Sequence, residues 1–222
     1  MNVKKCFLTA LAACLAGSFA LSAQEVSTDQ VVDLGLSVKW AGYNIGASAP
    51  EQFGGFYAWG ETEEKDKYLN DNYKWYKDGR TDAIVKYCFD DFGFEGFKDG
   101  KRVLDPEDDV AHVQWGGSWR MPTHKEWLEL LTKCTCKFIS YKGMNGFCFT
   151  GPSGRSIFLP NGGVKSNAGY GNAGDTGSYN SASTYGLYSY GCSGVYFYAG
   201  MKKPALSGLQ RACGRPVRAV CK

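Results

Sequence analysis

Trp119-Arg120-Met121-Pro122-Thr123-His124-Lys125-Glu126-Trp127-Leu128-Glu129-Leu130-Leu131-Thr132-Lys133-Cys134 is the stretch on which the fold reading turns. Thr123 with Glu126 three residues on is the spacing of a capping box, in which each side chain satisfies a backbone N–H at the start of a helix. Trp127, Leu130, Leu131 and Cys134 follow at helical spacing, so an amphipathic helix is predicted over 124–133. His124 falls at its first position and is expected to be exposed.

Outside this helix the patterning changes. Leu34, Leu36, Val38 and Trp40 alternate with Gly35, Ser37 and Lys39, which predicts a half-buried strand. Residues 53–60 predict a second, aromatic strand punctuated by glycine. Residues 61–111 are charged and irregular, with interspersed Tyr and Trp, and suggest a long surface insertion; Asp78-Gly79 and Asp99-Gly100 are turn signals. Phe138 and residues 147–149 suggest a hairpin, and 156–159 a short strand ended by Pro160. Residues 161–200 hold ten glycines with many Tyr, Ser and Asn and suggest long loops with one strand, in which Val195, Phe197 and Ala199 alternate with Tyr196 and Tyr198. Residues 217–221 suggest a closing strand. One or two helices among many short strands and long loops means an α+β fold. No internal repeat is found.

The chain has 222 residues, 44% apolar and 21% charged, enough for one domain with its own core. Its 29 Gly and 7 Pro do not reach the low-complexity range. Lys4 and Lys5, the apolar run over 6–21 and the small residues Ser22-Ala23 form a secretory signal peptide over 1–23, followed by a polar leader over 24–32 and the domain over 33–222. The apolar run is short for a membrane span of about 20 residues. Leu11-Ala12-Ala13-Cys14 also fits a lipoprotein signal, but apolar residues continue past Cys14 where a polar tether is expected. The mature chain is thus expected outside the cytoplasm, at the cell surface, in the periplasm or released, with no transmembrane span. Removal of Lys4 and Lys5 leaves 23 basic against 22 acidic residues, which offers no electrostatic footprint for nucleic acid.

Seven cysteines remain after cleavage: Cys88, Cys134, Cys136, Cys148, Cys192, Cys213 and Cys221. Export permits disulfides, yet an odd number leaves one thiol over, and buried free thiols acting as small apolar residues are the alternative. Cys136 and Cys148 flank the turn-like residues 142–146 almost symmetrically and are a candidate disulfide across a hairpin. No C-x-x-C pair supports a zinc ribbon.

Gly169, Gly171 and Gly174 match G-x-G-x-x-G, but no helical pattern follows to receive a pyrophosphate, so a loop is expected. Asp105, Glu107, Asp108 and Asp109 are hard oxygen donors and candidate Ca²⁺ ligands. Without EF-hand spacing, the alternative is a solvated turn capping a short helical segment at Val110-Ala111. No other cofactor is expected. His112 and His124 are the only histidines, and neither Ser153 nor Ser193 sits in a nucleophile elbow, so a catalytic triad is not expected. Seven tyrosines fall between Tyr170 and Tyr198, among Ser, Gly and Asn. These are the residues of adaptable recognition loops. Tyr185, Tyr188, Tyr190, Tyr196 and Tyr198, with Gln210 beside them, are the candidate ligand-binding residues. Tyr196 and Tyr198 are expected to point outward because Val195 and Phe197 are the better core set.

Four segments in order, Asp33 to Trp40, Gly54 to Glu61, Trp115 to Thr123 with Glu126-Trp127, and Arg211 to Arg218, resemble the Fibrobacter-type major paralogous domain family of exported bacterial proteins. The resemblance covers 33–221. That family is similar to the C-type lectin and formylglycine-generating enzyme fold, which implies a single α+β domain of that kind. The C-terminal part also resembles the variable proteins of diversity-generating retroelements, which diversify a lectin-like surface. Asn180-Ser181-Ala182-Ser183 stands where the family usually has a Trp-led segment. The implied function is a non-catalytic module that binds an extracellular glycan or protein. Two alternatives remain. One is a copper-dependent oxidase of formylglycine-generating type, whose copper is held by two cysteines; Cys213 and Cys221 would lie about 26 Å apart on one strand, so that site is not carried over. The other is a structural subunit of a surface fibre, which the short polar leader does not favour.

Overall fold

The computed structural model describes residues 26–222; the expected signal peptide, Cys14 and the first two leader residues lie outside the described residues. Among the described residues, eleven strands and two α-helices give a mixed α+β architecture, largely of small antiparallel sheets. Strands β1 (Val31–Val32) and β2 (Lys39–Ala41) are followed by helices α1 (Val110–Trp115) and α2 (His124–Lys133), then β3 (Thr135–Tyr141), β4 (Met144–Thr150), β5 (Ser156–Pro160), β6 (Val164–Ser166), β7 (Gly169–Gly171), β8 (Thr176–Tyr185), β9 (Tyr188–Tyr198), β10 (Ala205–Gln210) and β11 (Val220–Cys221). The sheets run β1-β2-β11, β3-β4-β5, β10-β9-β8 and β6-β7. Among the described residues no helix is long and apolar enough to cross a membrane.

Helix α2 spans the predicted residues. Thr123 Oγ1 accepts from Glu126 N, Glu126 Oε2 accepts from Thr123 N at 2.8 Å, and Trp127, Leu130 and Leu131 are buried. They meet Trp40, Phe147, Tyr179, Val195 and Phe197 in a core that joins α2 to three of the sheets. Leu34 to Trp40 alternates inward and outward as expected, but only Lys39–Ala41 is paired as strand. Of the closing strand expected over 217–221, only Val220–Cys221 is paired, as β11, which meets β2 through Val220↔Trp40. The expected polar leader over 24–32 joins the fold from Val26 on, so the domain begins earlier than residue 33: Val26 packs on Cys148 and Phe158, and Val32 is buried and pairs with Trp40.

Several expectations are corrected. Residues 53–60 form no regular strand. Phe56 to Trp59 are buried without alternation, because the segment runs between two apolar clusters. Its backbone bonds to Arg211 and Arg215 instead. Residues 61–111 are irregular but not a surface insertion. Tyr68, Tyr73, Tyr76, Ile84 and Tyr87 are buried, and each tyrosine hydroxyl finds a partner: Tyr73 donates to Trp59 O at 2.8 Å and Tyr76 to Tyr190 O at 3.1 Å. An aromatic core with polar tips needs no apolar periodicity.

The region over 161–200 is mainly a long hairpin, β8 with β9, not loops. Its small residues mark close packing: a Cβ at Gly177 would lie 2.0 Å from the Phe197 ring, and one at Gly194 2.3 Å from Leu209. Gly169–Gly171 is strand β7, and the glycine-rich segment leads into β8, with no helix after it. The Cys136–Cys148 bridge is absent. The β3–β4 register pairs Cys136 with Phe149 and Lys137 with Cys148. That one-residue offset sends the two sulfurs to opposite faces of the hairpin, and all seven described cysteines are free.

Candidate functional site

The two-residue turn Gly186-Leu187 joins β8 to β9, with Tyr185 facing Tyr188 in the register. Gly186 has φ +58°, a conformation that glycine takes without steric cost and that such hairpin turns require. Leu187 at the tip is 78% exposed. Tyr188 and Tyr190 alternate with buried Ser189, and their rings stack at 5.5 Å with an interplanar angle of 18°. Phe92 braces both, edge-on, at 6.1 and 5.2 Å. Asp90 accepts from Ser189 N at 2.5 Å, and Ser189 Oγ accepts from Phe89 N at 2.9 Å. Burial opposes the charge on Asp90, but its bonds from the backbone N–H groups of Ser189 and Phe92 hold its carboxyl below the ordinary range. Residues 89–92 therefore clamp β9 between its two exposed tyrosines.

Beside this pair is an open groove of about 530 Å³, lined by Tyr185, Leu187, Tyr188, Tyr190, Leu209 and Gln210 around Gly191 and Gly208. Glycine at 208 is what admits the Tyr185 ring, since a Cβ there would lie 2.5 Å from Tyr185 Cδ1. At Gly191 a Cβ would meet Leu209 O at 3.7 Å and Tyr185 Cβ at 3.8 Å, ordinary contacts. Gln210 Oε1 accepts from the Cys213 thiol at 3.4 Å. No lysine, arginine, aspartate, glutamate or histidine lines the groove. Compared with family models, curated proteins and solved structures, the chain finds no match in any of the three.

Four of the six residues singled out from the sequence, Tyr185, Tyr188, Tyr190 and Gln210, thus share one groove. Tyr196 and Tyr198 do point outward, opposite buried Val195 and Phe197. They form a separate pair, 6.0 Å apart, at the other end of β9, about 20 Å from Tyr190 at strand spacing. Leu187, Leu209 and Phe92 were not foreseen. Leu187 between two tyrosines and a glycine was the signal available for the tip; Phe92 lies in a segment expected to be surface and had none.

The acidic stretch is not a solvated turn. Asp108 is 2% exposed and Asp109 is buried. Asp105, Glu107 and Asp108 converge, and the Lys86 ammonium sits among them, 2.8, 3.5 and 2.6 Å from their carboxylate oxygens. Lys74 pairs with Asp108 at 3.0 Å and Lys101 with Asp105. Burial opposes the charge on Lys86, and the bonds to Asp105 and Asp108 outweigh it, so its pKa is raised. This donor set is already answered by lysines, and a Ca²⁺ ion would have to displace Lys86. Asp109 instead caps α1, accepting from Ala111 N and His112 N, and also accepts from Met121 N at 2.8 Å. Burial raises its pKa against those bonds.

His124 is half-buried, a correction to its expected exposure, because its Nδ1 meets Ser193 Oγ at 2.7 Å. Ser193 is fully buried, so the pair ties α2 to β9 and offers no reachable nucleophile. Cys213 follows β10, whereas Cys221 lies in β11 opposite Lys39; both are buried.

Proposed function

We propose that the chain is an exported, non-catalytic binding module with a C-type-lectin-like domain, which holds an extracellular glycan or protein group in the groove of Tyr185, Tyr188, Tyr190 and Gln210. One observation carries the reading: a stacked tyrosine pair, packed edge-on by Phe92 on a strand that Asp90 clamps, stands beside an open groove floored by glycine. Tyrosine adds contact area at low entropic cost, and preorganisation keeps that cost low on binding. Its face stacks on the C–H side of a sugar ring or on a partner's apolar side chain, and hydroxyls and Gln210 supply hydrogen bonds.

An array of glycans and envelope proteins probed with the mature chain tests this. Tyr188→Ala should weaken the ligand found by about 2 kcal/mol or more with little change in melting temperature, since the ring is 52% exposed. Unchanged binding with a lowered melting temperature would reject the groove as the site.

A further inference from the structure

Tyr185 and Gly186 have a second side. Across them from the tyrosine groove is another open depression, of about 590 Å³, whose lining includes Arg102, Lys125, His124, Ser183 and Thr184 and no carboxylate. Three distant segments meet there. Residues 102–104 pair with the end of β8, through Thr184 N to Arg102 O at 2.9 Å and the Val103↔Ser183 bridge. Lys125 comes from the first turn of α2, which is fixed to β8 by the bond from His124 N to Ser183 Oγ at 3.1 Å. Arg102 is held in place: its guanidinium lies 3.6 Å over the Phe89 ring and donates to Gly186 O at 3.3 Å. Neighbouring Lys86 and Lys101 are both spent on carboxylates. Arg102 and Lys125 are exposed, and among the described residues neither has a carboxylate partner.

We propose that this depression is an anion subsite, taking a carboxylate or sulfate group on a ligand whose uncharged part occupies the adjoining tyrosine groove. The proposal builds on the binding reading above and narrows its ligand to an acidic glycan. A neutral aromatic groove and an uncompensated cationic one share the wall of Tyr185 and Gly186, so one ligand can meet both. A guanidinium preorganised by stacking offers charge-assisted, forked hydrogen bonds to an oxyanion.

Two measurements test it. Inorganic sulfate and acetate are titrated separately into ¹⁵N-labelled mature protein. Saturable shifts at Arg102 Nε and at the amides of residues 124–125 and 183–186 are expected, weakened on the order of tenfold in Arg102→Gln and in Lys125→Glu. Lys125→Glu keeps the test valid if loss of the Arg102–Phe89 stack disturbs the fold. Absence of saturable shifts with both anions overturns the anion subsite whatever the groove binds. On an array of matched neutral, carboxylated and sulfated forms of the same oligosaccharides, the acidic forms should lead, and both variants should reduce that preference. The carboxylated and sulfated arms tell which group is taken. Equal binding of neutral and acidic forms, abolished by Tyr188→Ala, would reject the subsite and leave the groove reading standing. Sulfate shifts with no glycan or protein bound would reject the groove reading alone.

Discussion

At Gly191 and Gly208 the difference of one methyl group separates two effects. Gly208 must stay bare because the Tyr185 ring lies over it, whereas Gly191 has room for a side chain. Gly191→Ala should therefore keep or slightly raise the melting temperature, since alanine has less chain entropy to lose than glycine. It also raises the groove floor, so binding should weaken. Gly208→Ala should instead cost about 1–3 kcal/mol of stability through overpacking, measurable by denaturant unfolding, as Tyr185 is driven from its place. If both substitutions left ligand affinity unchanged, the groove would not be the contact surface. The outward tyrosines were legible from sequence because a period-2 pattern needs only knowledge of which set is more apolar. The bare floor beneath Tyr185 was not, since Gly208 becomes meaningful only once β10 lies beside β9.

At the scale of elements, α2 was read to the residue because its signals are local: a cap, its reciprocal glutamate and an apolar stripe. Thr123→Ala should cost about 1 kcal/mol in thermal unfolding. Glu126 does double duty, pairing with Arg120 as well as capping. Burial works against its charge, but Arg120 and Thr123 hold its pKa below the ordinary glutamate value. A depressed carboxyl contributes stability that is present above its unfolded pKa of about 4.3 and is lost as pH falls through the folded value. Glu126→Gln should thus lower stability at pH 7 and flatten the acid limb of the unfolding curve; an acid limb as steep as that of the parent protein would argue against the pair. Strand register was the weak point. A symmetric turn over 142–146 would set Cys136 opposite Cys148, and the actual register is one residue off. Hydrophobic periodicity does not fix a register where both faces are packed. Alkylation under denaturing conditions without reductant should label both thiols; recovery of a linked pair would overturn the register.

At the scale of the molecule, the least legible feature is how the sheets are joined. Arg211, Arg215 and Arg218 are all buried, with backbone carbonyls and neutral side chains for partners in place of carboxylates. Arg218 donates to Asn44 Oδ1, Ala41 O and Phe158 O at 2.8–3.0 Å, linking the β2 end to β5. Burial pulls its pKa down to about 10, so it stays charged at neutral pH. Arg218→Met should cost about 3 kcal/mol or more, because three buried acceptors lose their donor. A loss under 1 kcal/mol would mean that water replaces it. Three arginines fall within eight residues, and only the assembled sheets reveal them as internal ties. Residues 61–111 depart from the expected surface insertion for a related reason, since tyrosines with bonded hydroxyls fill a core without an apolar run.

Trp40 pairs with Val32 on one side and with Val220 on the other, and Val220 also bridges to Arg120. One tryptophan near the start of the domain thus waits for a valine 180 residues later before its sheet is complete. Closing so long a loop is slow, since its entropy must be spent before the contact rewards it. A growing chain cannot shut this core while residue 220 is still inside the ribosome. On the export route proposed above, the nascent polypeptide would stay loose enough to be threaded through a secretion pore until Trp40 and Val220 pair.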